Sequence, residues 1–137
     1  MIKRIPLTAL QKALYGLLTE KQIAPITPVY DEVPEDAVLP YITLGAFTCK
    51  PNGAKGNTDI SDVSLQLHIW SEYSGKLEVN GIAEDIITII ENFKIDLSVS
   101  NFEVTSQAYD MFEAFPEEIA GYHGVVTFVA KIQNLGA

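Results

Sequence analysis

The sequence predicts an α+β fold: one domain over residues 1–137, in the order helix, strand, strand, helix, strand, strand, with an antiparallel-rich four-stranded sheet covered by two helices. Three observations carry this expectation. Apolar residues recur at helical spacing in two separate stretches. Apolar and polar residues alternate strictly through residues 61–71, the period of a half-buried strand. Two further segments rich in β-branched and aromatic residues follow the second helical stretch, as the strand pattern requires.

Leu7, Leu10, Leu14 and Leu17 place one apolar stripe on a first helix ending near Lys21, and Thr8 with Gln11 has the spacing of a capping box. Residues 22–40 contain Pro25, Pro28, Pro34 and Pro40 with Asp31, Glu32, Glu35 and Asp36 between them. Proline fixes φ and removes a donor, so this stretch reads as an extended connection on the surface of the same domain. Residues 41–48 read as a strand, and the turn formers of residues 49–58 as a long hairpin loop carrying Lys50, Asn52 and Lys55. In the next strand Val63, Leu65, Leu67 and Ile69 fall on one face and Ser64, Gln66, His68 and Trp70 on the other. Ser74 is the predicted N-cap of the second helix, whose stripe is Val79, Ile82, Ile86, Ile89, Ile90 and Phe93, with Glu84, Asp85 and Glu91 pointing away. A third strand is predicted over residues 102–109 and a fourth over 124–132. Residues 110–122, with Met111, Phe112, Phe115 and Ile119, show no regular period. The strands at 41–48 and 124–132 are the expected sheet edges, open to pairing with a neighbour.

The chain has 137 residues, 47% of them hydrophobic, enough for one core without covalent staples. Its single cysteine, Cys49, has no partner within the chain and reads as a small apolar strand residue of a protein kept in a reducing compartment. No stretch has the length and apolarity of a membrane span, so no membrane partner is expected. Formal net charge is −9: residues 1–56 hold six basic and five acidic groups, residues 57–137 three basic and thirteen acidic. A chain without a basic stripe has little to displace counterions from phosphates, which argues against sequence-specific nucleic-acid binding.

The paired carboxylates, Asp31-Glu32, Glu35-Asp36, Glu84-Asp85 and Glu117-Glu118, lie in loops or on a helix exterior, where nothing shifts one of them into acid–base work. His68 falls on a polar strand face and His123 before the last strand, at no zinc-like spacing. Nucleophile elbows, phosphate loops and dinucleotide fingerprints are absent from the sequence. No enzyme, metal or cofactor is expected. Large aromatics on a polar strand face or in a connection are enriched at interfaces. Trp70, Phe112 and Phe115, with Lys50, Asn52 and Lys55 of the loop, are therefore the candidate assembly residues. Tyr122-His123-Gly124 reads as the turn into the last strand, with glycine supplying an unusual φ.

Four stretches in fixed order complete the pattern: Ala13-Leu14-Tyr15-Gly16-Leu17-Leu18, Leu39-Pro40-Tyr41-Ile42-Thr43-Leu44-Gly45, Leu65-Gln66-Leu67-His68-Ile69-Trp70-Ser71 and Gly121-Tyr122-His123-Gly124-Val125-Val126-Thr127-Phe128. In these the chain resembles the tail-completion, or tail-to-head joining, proteins of long-tailed bacteriophages and prophages, a family close to the tail terminators. The resemblance implies a non-catalytic structural subunit that self-associates as a hexameric ring between head connector and tail tube. It implies synthesis in the host bacterial cytoplasm and a final place at the virion head–tail junction. It transfers no functional residue, and the acidic connection at residues 22–40 departs from the family pattern. The competing class is a small-molecule-binding regulatory module, since a sheet covered by helices hosts many functions.

Overall fold

The computed structural model describes residues 2, 4–20, 27–52 and 59–136. In chain order the elements are α1 (Leu7–Leu18), β1 (Val29–Tyr30), β2 (Tyr41–Pro51), β3 (Ile60–Ser71), α2 (Leu77–Asn92), a 3-10 turn (Ser98–Ser100), β4 (Phe102–Pro116) and β5 (Tyr122–Asn134). The sheet is five-stranded and mixed, in the order β1-β2-β3-β5-β4, with β1 parallel to β2 and every other pair antiparallel. The α+β class and the two helices stand as expected; the four-strand sheet does not. The fifth strand lies inside the proline-rich connection, where Val29 and Tyr30, free of proline, pair with Ile42 and Thr43, and the Pro28 carbonyl accepts the Ile42 N–H at 2.8 Å.

A second difference concerns residues 110–122. β4 runs unbroken to Pro116, absorbing two register shifts, between Val104 and Ser106 and between Tyr109 and Met111. Each bulge inserts a residue and flips the alternation, which is why a period-2 search loses the strand at residue 109. Consequently β5 lies between β3 and β4 and is not an edge; the margins are β4 on one side and β1 with the distal part of β2 on the other.

Both helices seal one face. Leu10, Leu14 and Leu18 of α1 and Val79, Ile82, Ala83, Ile86, Ile89 and Ile90 of α2 are buried in one cluster with Ile42, Val63, Leu65, Leu67, Ile69, Val126, Phe128 and Ile132 from the strands. Apolar burial at about 25 cal/mol per Å² makes this face the main source of stability. Phe93, expected in the α2 stripe, is instead the helix C-cap and is exposed. Neither predicted cap is used: α1 starts after Pro6 and α2 after Lys76, with no side-chain cap. The entry to α2 is held by Ser71, whose hydroxyl donates to Glu78 Oε1 at 2.7 Å. Its exit is held by Gln107, whose Nε2 donates to the Ile90 and Phe93 carbonyls at 2.8 and 2.9 Å, satisfying groups that a helix end leaves free.

Asn134, buried at the end of β5, donates to the Ile2 carbonyl and to Asp59 Oδ2, both at 2.9 Å. Arg4 packs over the Phe102 ring and donates to the Gly136 carbonyl at 3.0 Å, so the two ends of the chain are tied beside one another. Gly121, at φ 84°, makes the turn into β5, where a Cβ would lie 1.9 Å from the Ser71 carbonyl oxygen. Gly124, the glycine expected to do this, sits inside the strand; its missing Cβ makes room for Val79 and Phe112.

Replacing Ile86, 0% exposed at the centre of the α2 stripe, by Asp buries an unpaired carboxylate at a cost of several kcal/mol out of the roughly 5–15 that hold a domain together. Thermal denaturation followed by circular dichroism should show Ile86→Asp without the wild-type cooperative transition.

Candidate functional site

The other face of the sheet carries no helix. Strand alternation delivers to it Tyr41, Thr43, Thr48 and Lys50 from β2 and Asp62, Ser64, Gln66, His68 and Trp70 from β3. β5 adds His123, Val125, Thr127, Val129 and Lys131, and β4 adds Met111, Glu113 and Phe115. Most are partly or fully exposed. Two ends of this surface differ in chemistry.

At one end four rings stack on adjacent strands. Trp70 and His123 are cross-strand partners with ring centroids 3.9 Å apart and planes 12° from parallel. His68 stacks beside His123 at 4.9 Å, and Phe115, directly opposite His123 on β4, meets its edge at 4.8 Å. Trp70 Nε1 donates to Thr43 Oγ1 at 3.0 Å, which fixes the indole against β2. His68 Nδ1 and His123 Nε2 face each other at 2.7 Å, and Glu117 Oε1, from the β4–β5 turn, lies 3.4 Å from His123 Nδ1. Both imidazoles are pushed below the ordinary histidine value by burial; for His123 the charge of His68 lowers it further and Glu117 opposes. Gly45 makes the arrangement possible, because a Cβ there would sit 2.3 Å from two atoms of the His68 ring.

At the other end the surface is polar. Lys131 Nζ lies 3.2 Å from Asp62 Oδ1, an exposed pair worth about 0–1 kcal/mol, and Asn52 Nδ2 reaches Asp62 at 3.4 Å. The Thr48 and Ser64 hydroxyls are hydrogen-bonded across β2 and β3.

Of the candidate assembly residues, Trp70 and Phe115 meet in the ring cluster. Phe112 does not: it faces the core side, opposite Val126 and against the buried cluster, because the bulge between Tyr109 and Met111 sets the parity of everything after it. Lys50 is a β2 residue opposite Asp62, about a strand's length from the cluster. Lys55 lies outside the described residues, as does most of the hairpin loop. Sequence reasoning missed the histidine pair, since 55 residues separate His68 from His123 and only the β3–β5 register brings them together.

Among the described residues no three histidine, cysteine or carboxylate side chains converge as a metal site, and no helix is long and apolar enough to cross a membrane. A hollow of about 500 Å³ among the described residues is an open cleft lined by Lys94, Asp96, Phe102 and Leu135 among others; it does not enclose a ligand in the way a small-molecule site would.

The profile of the family described as "Tail completion protein gp17" matches residues 12–133. Among solved structures, the chain is similar to one in "Virion of native gene transfer agent (GTA) particle", at 18% identity and a TM-score of 0.76, over 90% of this chain and 94% of that one. It is also similar to "Structure of bacteriophage SPP1 gp17 protein", at 17% identity and a TM-score of 0.58, over 95% of this chain and 93% of that one. At these identities the likeness is one of fold. No match was found among curated proteins.

Substituting Gly45 by Ala should drive the His68 ring away from His123 and cost about 1–3 kcal/mol, the usual range for overpacking. A lowered melting temperature, together with changed imidazole resonances of both histidines, is the expected outcome.

Proposed function

The chain belongs to the gp17-type tail completion protein family, and from that premise we propose that it is a ring-forming structural subunit joining the tail tube to the head connector of a long-tailed phage or prophage. Its role is assembly of the virion, and the reading requires no catalysis. The six-fold ring is the expectation drawn from the family resemblance. The subunit is made in the host cytoplasm and ends at the head–tail junction.

The observation that carries this reading is the sheet face that the chain's own helices leave uncovered. A helix-sealed sheet needs only one buried face to be stable, yet here the free face presents stacked aromatic rings, with Phe115 and Met111 39% and 54% exposed. Trp70 and Phe115 are the side chains suited to anchor a neighbour, since desolvated aromatics dominate interface energetics. A closed ring requires two different, complementary patches on each subunit. The two sheet margins, β4 and the distal part of β2, lie on opposite sides of this face and supply them. On the helix side Glu84, Asp85 and Glu91 are exposed on α2, an acidic surface that would not hold DNA passing beside it. The small-molecule module is not favoured, because the hollows of the described surface are open clefts.

Light scattering of the purified protein, alone and with tail-tube protein, and electron microscopy of the same samples should reveal closed rings. A strictly monomeric species at millimolar concentration in both samples would overturn the reading. Trp70→Ala and Phe115→Ala should each lower the ring population at least tenfold, about 1.4 kcal/mol per contact, while shifting the melting temperature little. Phe112→Ala, on the core side, should do the reverse, costing about 3 kcal/mol of stability, the low end for a phenylalanine packed against a core.

A further inference from the structure

We infer that the His68–His123 pair is an acid-sensitive latch on the uncovered face. It holds Trp70 and the β4–β5 turn in place while at most one of the two rings is charged, and releases them when both are.

The geometry carries the inference. His68 Nδ1 and His123 Nε2 are 2.7 Å apart, so one must bear hydrogen and the other a lone pair. Two neutral imidazoles satisfy this, and so does a pair sharing one added proton. Two imidazolium rings cannot, because both facing nitrogens then carry hydrogen and positive charge. Glu117 beside His123 Nδ1 favours a donor at that nitrogen, which leaves His123 Nε2 as the natural acceptor for His68. The second proton has to displace that bond.

The consequences follow from what the pair touches. His123 is the stacking partner of Trp70 and the edge partner of Phe115, and Glu117 closes the β4–β5 turn, its own N–H donating to the Gly121 carbonyl at 2.9 Å. Separation of the rings therefore reaches three elements at once. The groups around the pair are Tyr41, Thr43 and Gly45 from β2, Gln66 and Trp70 from β3, Val125 from β5, Glu113 and Phe115 from β4, and Glu117 from the turn, with Glu118 next to Trp70. No lysine or arginine is among them, so the two histidines are the cations of this end of the surface among the described residues.

The direction with pH is set by burial. Both folded-state values lie below the 6.5 of a free imidazole, so the released state binds more protons than the latched one. The latch is fully stabilising above about pH 6.5 and weakens as pH falls from there through the lowered folded values.

Trp70 is the only tryptophan in the chain, which makes its fluorescence a direct reporter, since a charged imidazole stacked on indole quenches it and release of the stack changes its solvent exposure. Titration from pH 8 to 4.5 should show a step with its midpoint below 6.5 while the far-ultraviolet circular dichroism stays constant. In His68→Gln, where no second cation can form, the release should be lost and only the quench by a charged His123 should remain, with its midpoint moved up; in His123→Gln the step should vanish. A flat titration, a step unchanged by either substitution, or loss of secondary structure with the same midpoint would overturn the latch. Should a variant fail to fold, imidazole nitrogen resonances of the wild type decide: two separated titration steps support the pair, and two independent titrations near 6.5 refute it. None of these readouts depends on ring formation, so the latch and the assembly role stand or fall separately.

Discussion

The rest of the molecule hangs on the register between β3 and β5. Twelve consecutive residue pairs, from Ile60 opposite Gln133 to Ser71 opposite Tyr122, run without a bulge, whereas β2 and β4 each shift register against their neighbours. Because strand side chains alternate with a period of two, this one alignment sorts both strands at once. Leu65, Leu67, Val126 and Phe128 go to the helices, and His68, Trp70, His123 and Val125 to the open side. A slip of one residue in either strand would turn that strand's imidazole into the core and its apolar set out of it. The alignment is therefore enforced by the same apolar burial that stabilises the fold.

The flanking strands adapt to that central pair. The shift between Leu44 and Phe47 in β2 places Gly45 where the His68 ring needs space. The shift between Tyr109 and Met111 in β4 returns Phe112 to the core side and brings Phe115 against His123. Bulges re-aim side chains at a small local cost, and here both re-aimings serve the same ring cluster. The cluster thus depends on irregularities in the outer strands as much as on regularity in the inner ones.

On the proposed reading the two faces divide stability and assembly between them. The helix side contains the buried apolar cluster, and the open side contains polar and aromatic residues that the subunit itself does not need to cover. The proposed assembly role suits such a division, since a surface free of the core's packing demands can change for a partner without unfolding its owner. The tie between Arg4, Asn134 and Gly136 lies at the far end of β5 from the ring cluster.

The family was legible as a resemblance in four ordered stretches, whereas local periodicity by itself determined the α+β class, the helix stripes apart from Phe93, and the core face of β3. These are short-range patterns, set by 3.6- and 2-residue repeats that any window of a dozen residues contains. Only the tertiary structure decided the fifth strand, the true edge, the length of β4 and the meeting of His68, Trp70, Phe115 and His123. Val29 and Tyr30 form a strand because β2 offers a partner, not because two residues carry a pattern. A bulge erases alternation while hydrogen bonding continues, so β4 looked finished at residue 109. The ring cluster joins three strands far apart in sequence, and its existence rests on registers that cross-strand packing selects and no local repeat encodes.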